Sequence, residues 1–250
     1  MIIIIKQVVK IGGSLFPEYA IELVKQLKGT GSVVILGGGE FANLIREYDS
    51  QVNFSDETNH WTAIDCMDII AKLVDDKVDS SKLAYSLVDA EEIAEGGLTP
   101  IFIVSEFLRS EDPFECSWDV TSDSIAAYIA HSLNANLLIV TNVNGIYTQE
   151  PKEPGSTFIS KIDAKTLLTF QESSIDVMLP SLLLEFGTNC YVVNGKYPER
   201  VLSLIDDNIN DYNFVYTHGP PQHRHLPQKG RERQGRRESN PERRRSRRKR

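Results

Sequence analysis

Ile2-Ile3-Ile4-Ile5-Lys6-Gln7-Val8-Val9-Lys10-Ile11-Gly12-Gly13-Ser14 opens the chain as a β-branched run that stops on paired glycines. Ser32-Val33-Val34-Ile35-Leu36 repeats the device and stops on Gly37-Gly38-Gly39-Glu40. An amphipathic stretch follows each turn. Stiff β-branched side chains pack well on a pleated surface, and strand, tight turn and helix in succession make a βαβ unit. With the first two strands read as 2–11 and 32–36, the alternation continues through strand-like runs at 100–105, 137–141, 190–193 and 214–217. Most of these runs are apolar throughout, as strands covered on both faces require. The pattern predicts an α/β fold, a three-layer αβα sandwich around a mostly parallel central sheet.

Helical phase agrees with that layering. Ala63, Met67, Ile70 and Val74 form one stripe behind a start that Asp56 can cap, and Ile125, Tyr128, Ile129 and Leu133 form another. Pro198 suits the first turn of a last helix reaching about Ile205.

With 250 residues, 41% of them apolar, the chain has ample material for a core, which excludes a disordered or fibrous protein. Charge divides it. Residues 1–217 hold 14 Lys+Arg against 32 Asp+Glu, whereas 218–250 hold 13 against 3. The first segment reads as the folded domain. The second has four prolines, eleven arginines and almost nothing apolar, so it reads as a disordered basic tail. An acidic body argues against nucleic acid as a partner, because neutralising phosphates needs clustered Lys and Arg. Only the tail offers an RNA-binding arm, the plain alternative being a functionless appendage. Cys66, Cys116 and Cys190 are too scattered for a disulfide framework or a zinc site and are expected to stay reduced. The opening apolar run is too short for a signal peptide or a membrane span, so a cytoplasmic protein away from membranes is expected.

The two glycine turns carry the chemistry. Glycine lets backbone N–H groups close on a phosphate, a helix N-terminus adds partial positive charge, and Lys10 adds a full one. One such turn would be explained by tight packing alone; two at the carboxyl ends of adjacent strands stand where open α/β sheets bind ligands. Neither turn is a Walker A loop or a Gly-x-Gly-x-x-Gly dinucleotide turn, and the protein-kinase signature is missing.

Taken in order, Lys10-Ile11-Gly12-Gly13-Ser14, Gly37-Gly38-Gly39-Glu40, Thr121-Ser122-Asp123-Ser124 and Thr141-Asn142-Val143-Asn144-Gly145-Ile146-Tyr147 resemble the motifs of the amino acid kinase family. The resemblance covers nearly all of residues 1–217. It implies an ATP-dependent small-molecule kinase using Mg2+, acting on a small phosphate or carboxylate acceptor and commonly self-associating. Gly39 to Asn43, Trp118 and residues 191–200 most resemble an archaeal branch that phosphorylates an aminomethylfuran phosphate to its diphosphate in methanofuran biosynthesis. Uridylate- or acetylglutamate-type kinases are the alternative, as is a non-catalytic nucleotide- or oxoanion-binding relative.

The resemblance implies roles residue by residue. Lys10 and Asp123 would be catalytic, Asp123 orienting the lysine; a helix cap is the alternative for Asp123 and a solvated strand-end lysine for Lys10. Gly12, Gly13, Ser14, Thr141, Asn142, Asn144, Gly145 and Tyr147 would hold the nucleotide. Gly37, Gly38 and Gly39 would hold the acceptor. Side-chain chemistry adds Arg46 for its phosphate, with an exposed surface arginine as the alternative, Trp118 to stack on its ring or else fill core space, and His60, whose plain reading is an ordinary first-turn histidine. Asp65 and Asp68, on the helix that starts near His60, are candidates for an acceptor ammonium, solvated charges being the plain reading. No metal ligand set is apparent. Two departures from the family pattern stand out: asparagines where relatives usually carry aspartate at 142 or 144, and no lysine between Lys165 and Lys196, which leaves Lys161 or Lys165 as substitutes.

Overall fold

The computed structural model describes residues 5–149, 152–169, 175–188, 190–206 and 215–216. Strands β1 (Gln7–Ile11), β2 (Ser32–Leu36), β3 (Ser81–Ala84), β4 (Thr99–Phe102), β5 (Asn136–Thr141), β6 (Cys190–Asn194) and β7 (Val215–Tyr216) form one sheet in the order β3-β4-β2-β1-β5-β6-β7. The first six are parallel and β7 runs antiparallel to β6. Ile11 stands opposite Leu36 on one side and Val140 on the other, so the strands end level. The ladder runs on into the turns, where the Gly12 N–H donates to the Val140 carbonyl at 2.8 Å and the Gly37 N–H to that of Ile11 at 2.9 Å.

Helices α1 (Glu18–Gln26), α2 (Gly39–Val52), α3 (Asp56–Asp75), α4 (Leu87–Glu95), α5 (Val104–Glu111), α6 (Ser122–Ser132), α7 (Ala164–Leu167), α8 (Leu179–Phe186) and α9 (Pro198–Ile205) flank the sheet. Strand residues alternate between two cores. Val8, Val33, Ile35, Leu137 and Ile139 pack with α4, α5, α6 and α8, while Val9, Ile11, Val34, Leu138 and Val140 pack with α1 and α9. Burying a residue such as Ile139 or Val140 contributes about 2 kcal/mol of apolar transfer, which is why these strands read as unbroken apolar runs. The three-layer α/β expectation holds.

Local boundaries differ where distant partners act. The strand read at 100–105 ends at Phe102, because the buried Asp68 carboxylate accepts the Val104 N–H at 2.8 Å and starts α5 there. Ser55, rather than Asp56, caps α3 by accepting the Thr58 N–H at 3.2 Å. Edge strand β3 escaped the pattern because only Ala84 of its four residues is buried. Among the described residues no helix is long and apolar enough to cross a membrane. The basic tail at 218–250 lies outside the described residues, as do residues 1–4 of the first strand.

Candidate active site

Lys10, next to last in β1, is buried, and its Nζ lies 2.7 Å from Oδ1 of Asp123, also buried, in the first turn of α6. A buried ammonium is stable only when paired, and the carboxylate supplies the pair. Thr121 caps α6, its Oγ1 accepting the Asp123 N–H at 3.3 Å. The Asp123 carboxylate is thereby released for the lysine, and the solvated-lysine and helix-cap alternatives fall away. Its Oδ2 accepts the backbone N–H of Asp176 at 3.1 Å.

Asp176 is the largest omission from the sequence reading. Its Oδ2 accepts Thr121 Oγ1 at 2.7 Å, Ser124 Oγ at 2.7 Å and the Ser124 N–H at 3.0 Å, and its Oδ1 accepts the Leu179 N–H at 2.6 Å. It thus joins the N-termini of α6 and α8. Burial and the neighbouring Asp123 charge push its pKa up, against the pull of these hydrogen bonds. No local pattern marks it, since its α6 partners lie more than fifty residues away.

The glycine turns meet backbone to backbone. A Cβ on Gly13 would sit 2.2 Å from both N and Cα of Gly39, and one on Gly37 would sit 2.8 Å from the Gly13 nitrogen. Gly39 itself has φ +53°, a left-handed conformation that favours glycine. Gly38 supplies no side-chain cap to α2, so the first N–H groups of that helix face the turn without one. Here opens a cleft of about 280 Å³, walled by Gly13, Ser14, Gly37, Gly38 and Gly39 and, farther out, by Arg46, His60 and Trp118. The structure therefore gathers all six acceptor-side expectations in one wall.

The outer wall is cross-braced. The Trp118 indole N–H donates to Asp49 at 3.1 Å while the Arg46 guanidinium lies 4.6 Å over the ring. Hydrogen bonds from Asn59 and Trp118 hold the Asp49 pKa down. His60 is buried, its Nδ1 3.5 Å from the Ser117 carbonyl, and burial lowers its pKa. It therefore enters as a neutral imidazole near pH 7. Asp65 pairs with Arg109 at 3.2 Å and Asp68 caps α5, so neither lines the cleft; the carboxylate that does is Glu40.

The remaining expected residues lie at the end of β5. Thr141 closes the strand, Asn142 and Asn144 are exposed, Gly145 is buried with φ +140°, and Tyr147 meets the Phe158 ring edge-on at 5.4 Å. Asn144 Oδ1 accepts from Asn194 Nδ2 at 3.0 Å and from Arg200 Nη1 at 3.2 Å, partners 50 and 56 residues away within the 191–200 stretch. Lys161 and Lys165 are exposed and do not line the cleft. Among the described residues no three His, Cys, Asp or Glu side chains cluster as a metal cage.

Comparison with known proteins places this geometry. A sequence model of the amino acid kinase family matches residues 6–194. The [5-(aminomethyl)furan-3-yl]methyl phosphate kinase of Methanocaldococcus jannaschii is 38% identical over 215 residues, covering 83% of this chain and 96% of that protein. A uridylate kinase of the same organism is 28% identical over 211 residues, covering 77% and 87%. Among solved structures, Ureaplasma parvum UMP kinase superposes with a TM-score of 0.67 at 16% identity, covering 85% of this chain and 98% of that one. Archaeoglobus fulgidus uridylate kinase does so with 0.63 at 19%, covering 85% and 99%.

Proposed function

The chain belongs to the amino acid kinase family and is a phosphotransferase, and from that premise we propose that it transfers the γ-phosphoryl of ATP to [5-(aminomethyl)furan-3-yl]methyl phosphate, forming the diphosphate. The observation that carries this reading is the cleft, a glycine-walled anion pocket ending at the braced Trp118–Arg46 pair, in a chain so similar to a kinase of that substrate. Arg46 suits the acceptor phosphate, Trp118 the furan ring and Glu40 the ammonium.

Phosphoryl transfer asks chiefly for positioning and charge stabilisation. An oxygen of the acceptor phosphate forms a bond to the γ-phosphorus as the bond to the β–γ bridging oxygen breaks, and ADP leaves. The attacking phosphate is already ionised, so no side chain need remove a proton. Lys10, aimed by Asp123, and the N–H groups of the Gly12-Gly13 and Gly37-Gly38-Gly39 turns would stabilise charge on the transferring group. The donor set fits Mg2+ carried in on nucleotide phosphates rather than held in a protein cage, for the Asp123 carboxylate is shared between Lys10 and the Asp176 N–H. Bound there, the ion would neutralise phosphate charge. Thr141, Asn142, Asn144, Gly145 and Tyr147 would line the nucleoside end.

The deciding experiment is ADP release from magnesium ATP with the aminomethylfuran phosphate, UMP and acetylglutamate as acceptors. Turnover with the furan phosphate supports the proposal; turnover with UMP instead supports the uridylate reading, for which the 28% identical uridylate kinase speaks. ATP binding without turnover on any acceptor supports a non-catalytic relative.

We also propose that the protein self-associates through α2. None of its residues is buried, and Phe41, Leu44, Tyr48 and Val52 stand 40 to 61% exposed at helical spacing. Light scattering of Leu44→Glu, monomeric where the parent is larger, checks this. Residues 1–217 form the proposed catalytic domain and 218–250 a dispensable tail, so deletion from His218 leaves turnover unchanged. The protein is expected to work in the cytoplasm, without membrane or nucleic-acid partners.

A further inference from the structure

We infer that Arg200 is a nucleotide-binding cation of this chain, and that asparagine at 144 leaves its charge available for the phosphates of ATP. This rests on the ATP-dependent reading above. Asn144, one of the two asparagines noted in the sequence, joins Arg200 in a hydrogen-bonded network. Arg200 lies in the first turn of α9, and its Nη1 donates to Asn144 Oδ1 at 3.2 Å. The guanidinium also lies 4.2 Å over the Tyr197 ring, a contact that restrains its plane.

An amide oxygen anchors a guanidinium through a hydrogen bond without cancelling its charge. A carboxylate in the same place would form a charge-assisted pair and neutralise it. Among the described residues Lys10 is paired with Asp123, Lys77 with Asp76 and Arg109 with Asp65, while Arg200 makes no ion pair. The Asn144 oxygen is held in place by Asn194, which is buried and also accepts the Lys196 N–H at 3.0 Å. The anchor is thus built rather than incidental.

Its position is apt. The chain order reverses beside β1, with β2, β4 and β3 to one side and β5 and β6 to the other, which makes the carboxyl ends of β1 and β5 the expected ligand crevice. The Gly195 N–H donates to the Thr141 carbonyl at 2.8 Å and ties the turn before Arg200 to the end of β5. β6 lies two strands from β1, roughly 10 Å at the usual strand spacing. A nucleoside triphosphate starting at Gly12-Gly13 spans that distance, and it brings more negative charge than the already paired Lys10 answers.

The test is calorimetric titration of the full chain with magnesium ATP and with adenosine, alongside steady-state kinetics, for the parent, Arg200→Ala, Arg200→Lys and Asn144→Asp. Arg200→Ala is expected to weaken ATP binding about tenfold or more, with adenosine affinity and acceptor KM unchanged. Arg200→Lys recovers part of the loss. Asn144→Asp, which sets a carboxylate beside the guanidinium, weakens ATP binding more than adenosine binding, and it serves as the test should Arg200→Ala lose its cooperative melt. Unaltered ATP affinity in Arg200→Ala, or tighter ATP binding in Asn144→Asp, overturns the inference while leaving the kinase reading intact. A parent protein that binds no ATP overturns both.

Discussion

The two ends of the binding edge are built by opposite means. Where β1 and β2 end, backbone packs on backbone, with Gly39 so close to Gly13 that Gly13 has no room for a Cβ, while Gly39 holds a φ of +53° that favours glycine. Where β5 and β6 end, side chains do the work: exposed Asn144 is joined to buried Asn194 and half-buried Arg200 by hydrogen bonds of 3.0 and 3.2 Å. The first arrangement is set by hard sterics and tolerates no substitution. The second is set by side-chain hydrogen bonds, where a substitution changes a partner without forcing two backbones apart.

The comparison breaks hardest at Lys10. Lys10→Ala leaves the Asp123 charge buried without its cation, so we expect a loss of about 3 kcal/mol in stability and a kcat about a thousandfold lower. Denaturant melts and turnover assays check the two separately. Gly13→Ala must push the turns apart, and a displacement near 1 Å is expected to cost about a hundredfold in kcat. Gly97, with no atom within 4 Å of its Cβ position and far from the cleft lining, is the control whose Ala variant should keep its kcat despite some strain at φ +78°.

Asp176→Ala removes the acceptor shared by Thr121, Ser124 and Leu179. It is expected to lower stability by about 2 kcal/mol and kcat about tenfold, with KM for ATP nearly constant, because it acts through the position of Asp123. Equal losses in kcat and ATP affinity would assign it to nucleotide binding instead. Arg46→Ala should raise the acceptor KM about tenfold and leave the ATP KM alone, which sharpens the division between the two ends.

The smallest effect concerns His60. Burial lowers its pKa from the ordinary 6.5, so the folded chain binds a proton less readily than the unfolded one. Stability therefore falls as pH drops below about 6.5 toward the lowered folded value. Melts of the parent and His60→Gln at pH 5 and 7.5 should show that His60→Gln lacks this part of the acid-side decline.

Much of the site was legible because its signals are local. A glycine pair after a β-branched run is a turn wherever it occurs, and Thr121 beside Asp123 announces a helix start. Arg46 and Trp118 are acceptor-side candidates from the chemistry of a guanidinium and an indole, and His60 from its place on a helix after the second glycine turn; the structure brings all three into one wall. Asp68 was misread for the opposite reason, since its partner, the Val104 N–H, is 36 residues away.

By itself, then, the sequence determined the alternation of strands and helices, the glycine turns and the chemical inventory at their ends, because propensity and periodicity act over a few residues. Folding in three dimensions selects the carboxylate that meets Lys10, joins α6 to α8 through Asp176 and rests Arg200 on a neutral asparagine. Those choices are made between residues distant in the chain and depend on burial, which removes water as the competing partner and obliges each polar group to find another.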